Sequence, residues 1–178
     1  MKGSVDVQVY KRMRDAYIPA RIRTIFLLES PPKSGEYFYN PNGRVTEQLF
    51  GAMMRLLDIA DKIKNKDEGL RRFQDRGFII VDASYEPVNN LKGKPRNDKI
   101  LEGYPALIRD LTSLDSAKKV PLILVKANVC RLMEPRLKSE GFRVHNAGTV
   151  IPFPGSGRQA CFQAMLGPIL REIGEKVH

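Results

Sequence analysis

The sequence predicts an α/β protein in three layers, with helices covering both faces of a central, four-stranded parallel sheet. Three observations carry this. Short, unbroken apolar runs occur at 25–28, 78–81 and 122–125, as in strands buried on both faces. Between them lie longer segments whose apolar residues recur with helical spacing. Strand and helix alternate along the chain, which argues for parallel strands joined by helical crossovers.

Residues 6–18 read as an amphipathic helix with Val9, Met13 and either Ala16 or Tyr17 inward, ended by Pro19. The first strand runs into Glu29-Ser30-Pro31-Pro32, and two successive prolines cannot continue a ladder. A carboxylate and a hydroxyl thus stand at the carboxyl end of a strand, where open α/β sheets bind ligands. Lys33, Ser34 and Gly35 follow, then Tyr37, Phe38 and Tyr39. Phe38 has a plain reading as core, but three successive aromatics after a glycine are not expected all to be buried, which favours Phe38 or a neighbouring tyrosine stacking on a flat ligand. Residues 44–64 carry Val45, Leu49, Met53, Leu56, Leu57 and Ala60 on one helical face, and 67–75 form a shorter helix with Leu70 and Phe73 inward.

Gly77 opens the second strand, 78–84, which contains Asp82. The segment beyond is rich in Gly, Pro, Asn and cations, including Lys92, Lys94, Arg96 and Lys99. It reads as a polar loop leaving the same sheet edge as Glu29. A helix over 99–114, a third strand over 122–128, a helix over 129–139 capped by Gly141, and a short fourth strand over 142–146 come next. The loop 149–159 leads to a last helix that Gly167 and Pro168 kink or interrupt. No repeat or internal boundary breaks the pattern, so residues 1–178 read as one domain.

The net charge is +10 and the isoelectric point near 9.8. Either a polyanionic partner, nucleic acid first, or a solvated lysine-rich surface accounts for such an excess. Cys130 and Cys161 are too few for a zinc knuckle or a four-cysteine iron–sulfur cluster, and no metal or cofactor is expected. The first residues lack a secretory apolar region, which favours a reducing cytoplasm. No apolar run approaches the ~20 residues of a membrane span. The histidines are His145 and His178.

Three segments, IFLLESPPKSGEYFY, GFIIVDASYEPVN and VIPFPGSGRQ, in this order resemble the uracil-DNA glycosylase superfamily. The first is similar to motif one, whose loop after strand one handles the attacking water. The second is similar to the strand whose end reads the flipped base. The third stands in the place of motif two, a Pro-rich loop that enters the minor groove. By element order the resemblance spans residues 22–170. It implies a uracil-DNA glycosylase-like fold, a monofunctional DNA glycosylase of base-excision repair, and DNA as partner. The departures are specific. Leu28 stands where motif one has its leading glycine, and Glu29 matches the variants that read Gly-Glu-x-Pro-Gly. Ser30 replaces the aspartate of uracil-specific enzymes, Asp82 a frequent asparagine, and Ile151 the motif-two histidine. The missing histidine supports an alternative, a non-catalytic nucleic-acid or nucleobase-binding module on the same fold. A hydrolase of free nucleosides is a third class, which needs no basic loop.

On the glycosylase reading the nucleotide is flipped into a pocket. Phe38 or Tyr39 stacks on the base and Asp82 bonds its edge. An ionised Asp82 only accepts, whereas a protonated one also donates, so a purine or damaged base fits as well as uracil. Glu29, with Ser30 beside it, is the catalytic candidate that stabilises an oxocarbenium-like sugar or orients water. Glu29 has a second reading as a salt-bridge or capping carboxylate. Lys33, Lys92, Lys94 and Arg96 are expected on the phosphate backbone. Pro154, Gly155, Ser156, Gly157 and Arg158 form a phosphate seat ahead of the last helix, with Ser156 also able to cap it. His145, close to motif two, either stands in for the missing histidine or is structural. The glycine spacing does not match a nucleotide P-loop.

Overall fold

The computed structural model describes residues 7–177; Asp6, the first residue of the expected N-terminal helix, and His178 lie outside the described residues. Three strands form, β1 (Thr24–Leu28), β2 (Phe78–Asp82) and β3 (Leu122–Leu124). They are parallel and ordered β2-β1-β3, with Thr24 opposite Phe78 and Ile25 opposite Leu122. Every strand residue is buried.

Side chains alternate between two cores, as the pleat requires. Phe26, Leu28, Phe78, Ile80 and Ile123 enter one, and Ile25, Leu27, Ile79, Val81, Leu122 and Leu124 the other. The first core is closed by α1 (Val7–Asp15), α2 (Gln48–Leu56), α3 (Lys66–Asp75) and α7 (Gln159–Glu172), the second by α4 (Gly93–Glu102), α5 (Tyr104–Leu114) and α6 (Ala127–Ser139). Arg14 of α1 is buried and pairs through both Nη atoms with Asp110 of α5, at 3.0 and 2.8 Å, so an ion pair ties α1 to the far helix layer.

The expected fourth strand over 142–146 is reduced to one isolated bridge, Val144 with Leu122, and a second bridge joins Ile151, beyond it, to Val125. The cause is Asn146. Its side-chain amide accepts from the Leu124 N–H at 2.9 Å and donates to the Leu124 carbonyl at 2.8 Å. One side chain therefore occupies the backbone groups that a further ladder would use.

Other boundaries shift for local reasons. The helix expected over 44–64 stops at Leu56 because Asp58 adopts φ 56°, with the Ile59 N–H bonding back to the Met54 carbonyl, as in a Schellman ending. The polar segment read as a loop is instead α4, whose Pro95 sits in the first turn, where a missing N–H costs nothing. Gly103 separates α4 from α5, so the expected single helix over 99–114 is two. The last helix runs on through Pro168. No helix among the described residues is long and apolar enough to cross a membrane.

Candidate functional site

The carboxyl ends of the three strands open into a cavity of about 290 Å³, close to the lower limit of roughly 300 Å³ for ligand pockets. Glu29 follows β1, Asp82 ends β2, and Lys126 lies just past β3; all three line it. Phe38, Tyr37, Phe50 and Phe153 supply its rings, and Ser30 and Glu47 further polar edges. Sequence residues some fifty to a hundred apart meet here because parallel strands present all their carboxyl ends on one side.

Asp82 is 4% exposed. The Tyr37 hydroxyl donates to its Oδ2 at 3.2 Å. Arg14, whose charge favours the ionised form, is spent on Asp110, so burial prevails and lifts the Asp82 carboxyl from 3.8 to about 7. Near neutrality this residue therefore exists in both accepting and donating forms.

Glu29 is in the opposite condition. Both of its oxygens are engaged: Oε1 by Lys126 Nζ at 3.0 Å and by Arg96 Nη2, Oε2 by Arg96 Nε at 3.1 Å and by Asn128 Nδ2. Burial raises its pKa, but these donors outweigh burial and hold it below the usual 4.5. Glu29 is thus a charged, saturated carboxylate. The salt-bridge reading describes it as it stands, and in this state it has no lone pair to spare for a water.

The aromatic run departs from expectation. Tyr37, Phe38 and Tyr39 are all buried. Phe38 packs on Phe50, Phe73 and Tyr39 and shows one side to the cavity, so it remains available as a wall. Tyr39 is corrected from base-stacking to core: its hydroxyl accepts from the Ile80 N–H at 2.7 Å, its ring stacks on Tyr17, and it does not reach the cavity. The loop turns inward because Lys66, itself fully buried, donates to the Tyr37 carbonyl at 2.7 Å and to Glu47 Oε2 at 2.5 Å.

A second, wider cleft of about 640 Å³ adjoins the first and shares Lys126 and Phe153 with it. Arg96, Gly155, Ser156 and Arg158 line this cleft, as does Arg131. The other expected phosphate contacts are placed differently. Lys33, Lys92 and Lys94 are exposed outside both cavities, and Lys94 pairs with Asp98 at 2.6 Å. Pro154 is buried, and Gly157 is exposed at φ 79°. Arg96 turns inward to Glu29 instead of projecting from a loop. Ser156 does not cap α7; Arg158 occupies that position and makes no side-chain cap. His145 lines neither cavity; its buried Nε2 lies 3.5 Å from Glu172 of α7.

Lys126 and Asn128 were not singled out by the sequence reading, although the rule applied to β1 and β2 points to them at the end of β3. Lys126 also adopts φ 88°, a conformation that costs a non-glycine residue about 1–3 kcal/mol and tends to persist at functional sites. Among the described residues no three of His, Cys, Asp and Glu gather closely enough to hold a metal ion. Comparison of the chain with protein-family models, with curated proteins and with solved structures gives no match.

Proposed function

We propose that the strand-end cavity receives a nucleobase flipped out of DNA, and that the protein is a DNA glycosylase-like protein of base-excision repair. In this reading the chain is a divergent, cytoplasmic relative of the uracil-DNA glycosylases with their three-layer arrangement. The observation that carries it is the Asp82 carboxyl, buried at the end of β2 in an aromatic-walled cavity and poised near neutral pH. A neutral carboxyl offers one donor and one acceptor, the same pair as the asparagine amide found there in many family members. Phe38 supplies a ring face for the base, and the cationic cleft beside the cavity supplies a path for the strand.

A second reading has its own support. Because Glu29 is saturated by Arg96, Lys126 and Asn128, the resting protein suits a module that holds a base without cutting it. Incubation with duplexes carrying uracil, hypoxanthine, xanthine or alkylated bases, read as abasic sites after alkali, separates the two. The glycosylase reading predicts strand breaks on at least one duplex and their loss in Glu29→Gln. No breaks on any duplex would leave the binding module as the better account.

A further inference from the structure

Three helix N-termini border the wide cleft without an acid or a side-chain cap, a lack that α2 and α5 share elsewhere in the fold. Helix N-termini favour Ser, Thr, Asp or Asn as caps and acids in the first turn. Here α4, α6 and α7 begin with Lys92, Lys126 and Arg158, none of which makes a side-chain cap, and no first turn contains an acid. The start of each helix reaches the cleft: Gly93 of α4, Ala127 and Asn128 of α6, and Arg158, the residue before α7. Arg96, Lys126, Arg131 and Arg158 line it, and no carboxylate does. Arg131 spends one Nη atom on a 3.4 Å contact to Asn97, and the Arg158 side chain makes no hydrogen bond or ion pair among the described residues. Cations gathered in this way repel one another, and Glu29 offsets Arg96 and Lys126 but not Arg131 or Arg158.

The carboxylate that Arg96 and Lys126 hold is Glu29, which does not line the cleft. Its side chain is 7% exposed, against 22% for Arg96 and 37% for Lys126. An anion entering the cleft therefore meets the two cations before it meets Glu29.

We propose that a phosphate group bound in the cleft takes over Arg96 and Lys126 and so releases Glu29 into the neighbouring cavity. The inference rests on the nucleic-acid reading above and adds a trigger to it. A phosphate offers more acceptor oxygens and more charge than the carboxylate and matches the arginine fork. Once its partners turn to the phosphate, Glu29 keeps its charge, regains free lone pairs and can accept a hydrogen bond from a water. The exchange makes the carboxylate available only when the cleft is filled, and Lys126, shared by the two cavities, is the hinge of the coupling.

Two readouts test this with the full chain. In the first, fluorescence anisotropy follows a short single-stranded oligonucleotide across a salt series. Glu29→Gln removes the competitor for Arg96 and Lys126, so it is expected to bind about tenfold tighter than the parent. Arg131→Ala combined with Arg158→Ala is expected to weaken binding and to lower the log–log salt slope by about 1.4. In the second, carbon-13 NMR follows the Glu29 carboxyl of the unsubstituted protein. Its pKa is expected to be low in the free protein and to rise on saturation with the oligonucleotide. Weaker or equal binding by a folded Glu29→Gln, with a carboxyl that the oligonucleotide does not move, would overturn the exchange and leave DNA binding standing. Inorganic phosphate is a second probe. If it moves the carboxyl and the oligonucleotide neither binds nor does so, the exchange holds for a small phosphorylated ligand and the nucleic-acid reading falls.

Discussion

At about pH 8 the Asp82→Asn protein is expected to be more stable than its parent, and near pH 4 the two are expected to unfold alike. The folded carboxyl titrates at about 7, above the ordinary 3.8. Between these values the folded chain holds a proton that the unfolded chain has lost. Stability therefore falls as the pH rises through this window and is lowest above it. The rise from 3.8 to about 7 corresponds to about 4 kcal/mol as an upper bound. The groups facing Asp82 do not cancel this effect. Tyr37 donates to it, Tyr10 and Tyr85 have pKa values raised by burial and further by its charge, and Arg14 is neutralised by Asp110, whose own charge adds to the penalty. Asparagine keeps the shape and removes the charge. Urea unfolding midpoints at several pH values check this; a gap between the two proteins that does not widen with pH would show that Asp82 is not held neutral.

Lys66→Met is expected to destabilise the protein by about 3–5 kcal/mol, because it leaves Glu47 charged and buried without its partner. Lys66 Nζ lies over the Phe50 ring, 5.4 Å from its centre, and bridges Glu47 to the Tyr37 carbonyl. The pair thus clips the 37–39 turn against α2 and α3 and fixes the wall of the cavity. Met fills the space of the lysine stem but offers Glu47 nothing. The Arg44 N–H, at 2.9 Å from Oε1, is then the remaining hydrogen bond to this carboxylate. Adding Glu47→Leu should recover most of the loss, since a buried ion pair is often replaceable by apolar groups of like volume. Denaturant unfolding of the two single variants and the double variant measures the coupling; purely additive losses would mean that the pair is not coupled.

Much of the layout was legible from the chain because strand burial writes itself as unbroken apolar runs. Ile25 to Leu28 and Phe78 to Val81 are strands for that reason, and Leu70 and Phe73 of α3 point inward as their spacing requires. Residues 142–146 misled because the pairing that decides them is made by a side chain, Asn146, which no periodicity reveals. Residues 93–98 misled because Gly, Pro and Asn are turn formers by composition, yet Pro95 is harmless in a first turn. Of the candidate site, Glu29, Ser30, Phe38 and Asp82 do converge on one cavity, a consequence of parallel strand ends. What lay beyond the sequence was the company they keep. Arg96 is 67 residues from Glu29 and Asn128 is 99, and nothing local marks either as its partner.

The account turns on whether the strand-end cavity holds a base taken from DNA. The most direct measurement compares affinity for duplexes containing one uracil or hypoxanthine with affinity for the matched undamaged duplex, in the parent and in Asp82→Ala. The account predicts that the parent prefers the altered duplex, and that Asp82→Ala loses the preference while keeping salt-dependent binding to both. Equal affinity of the parent for altered and undamaged duplexes would contradict it.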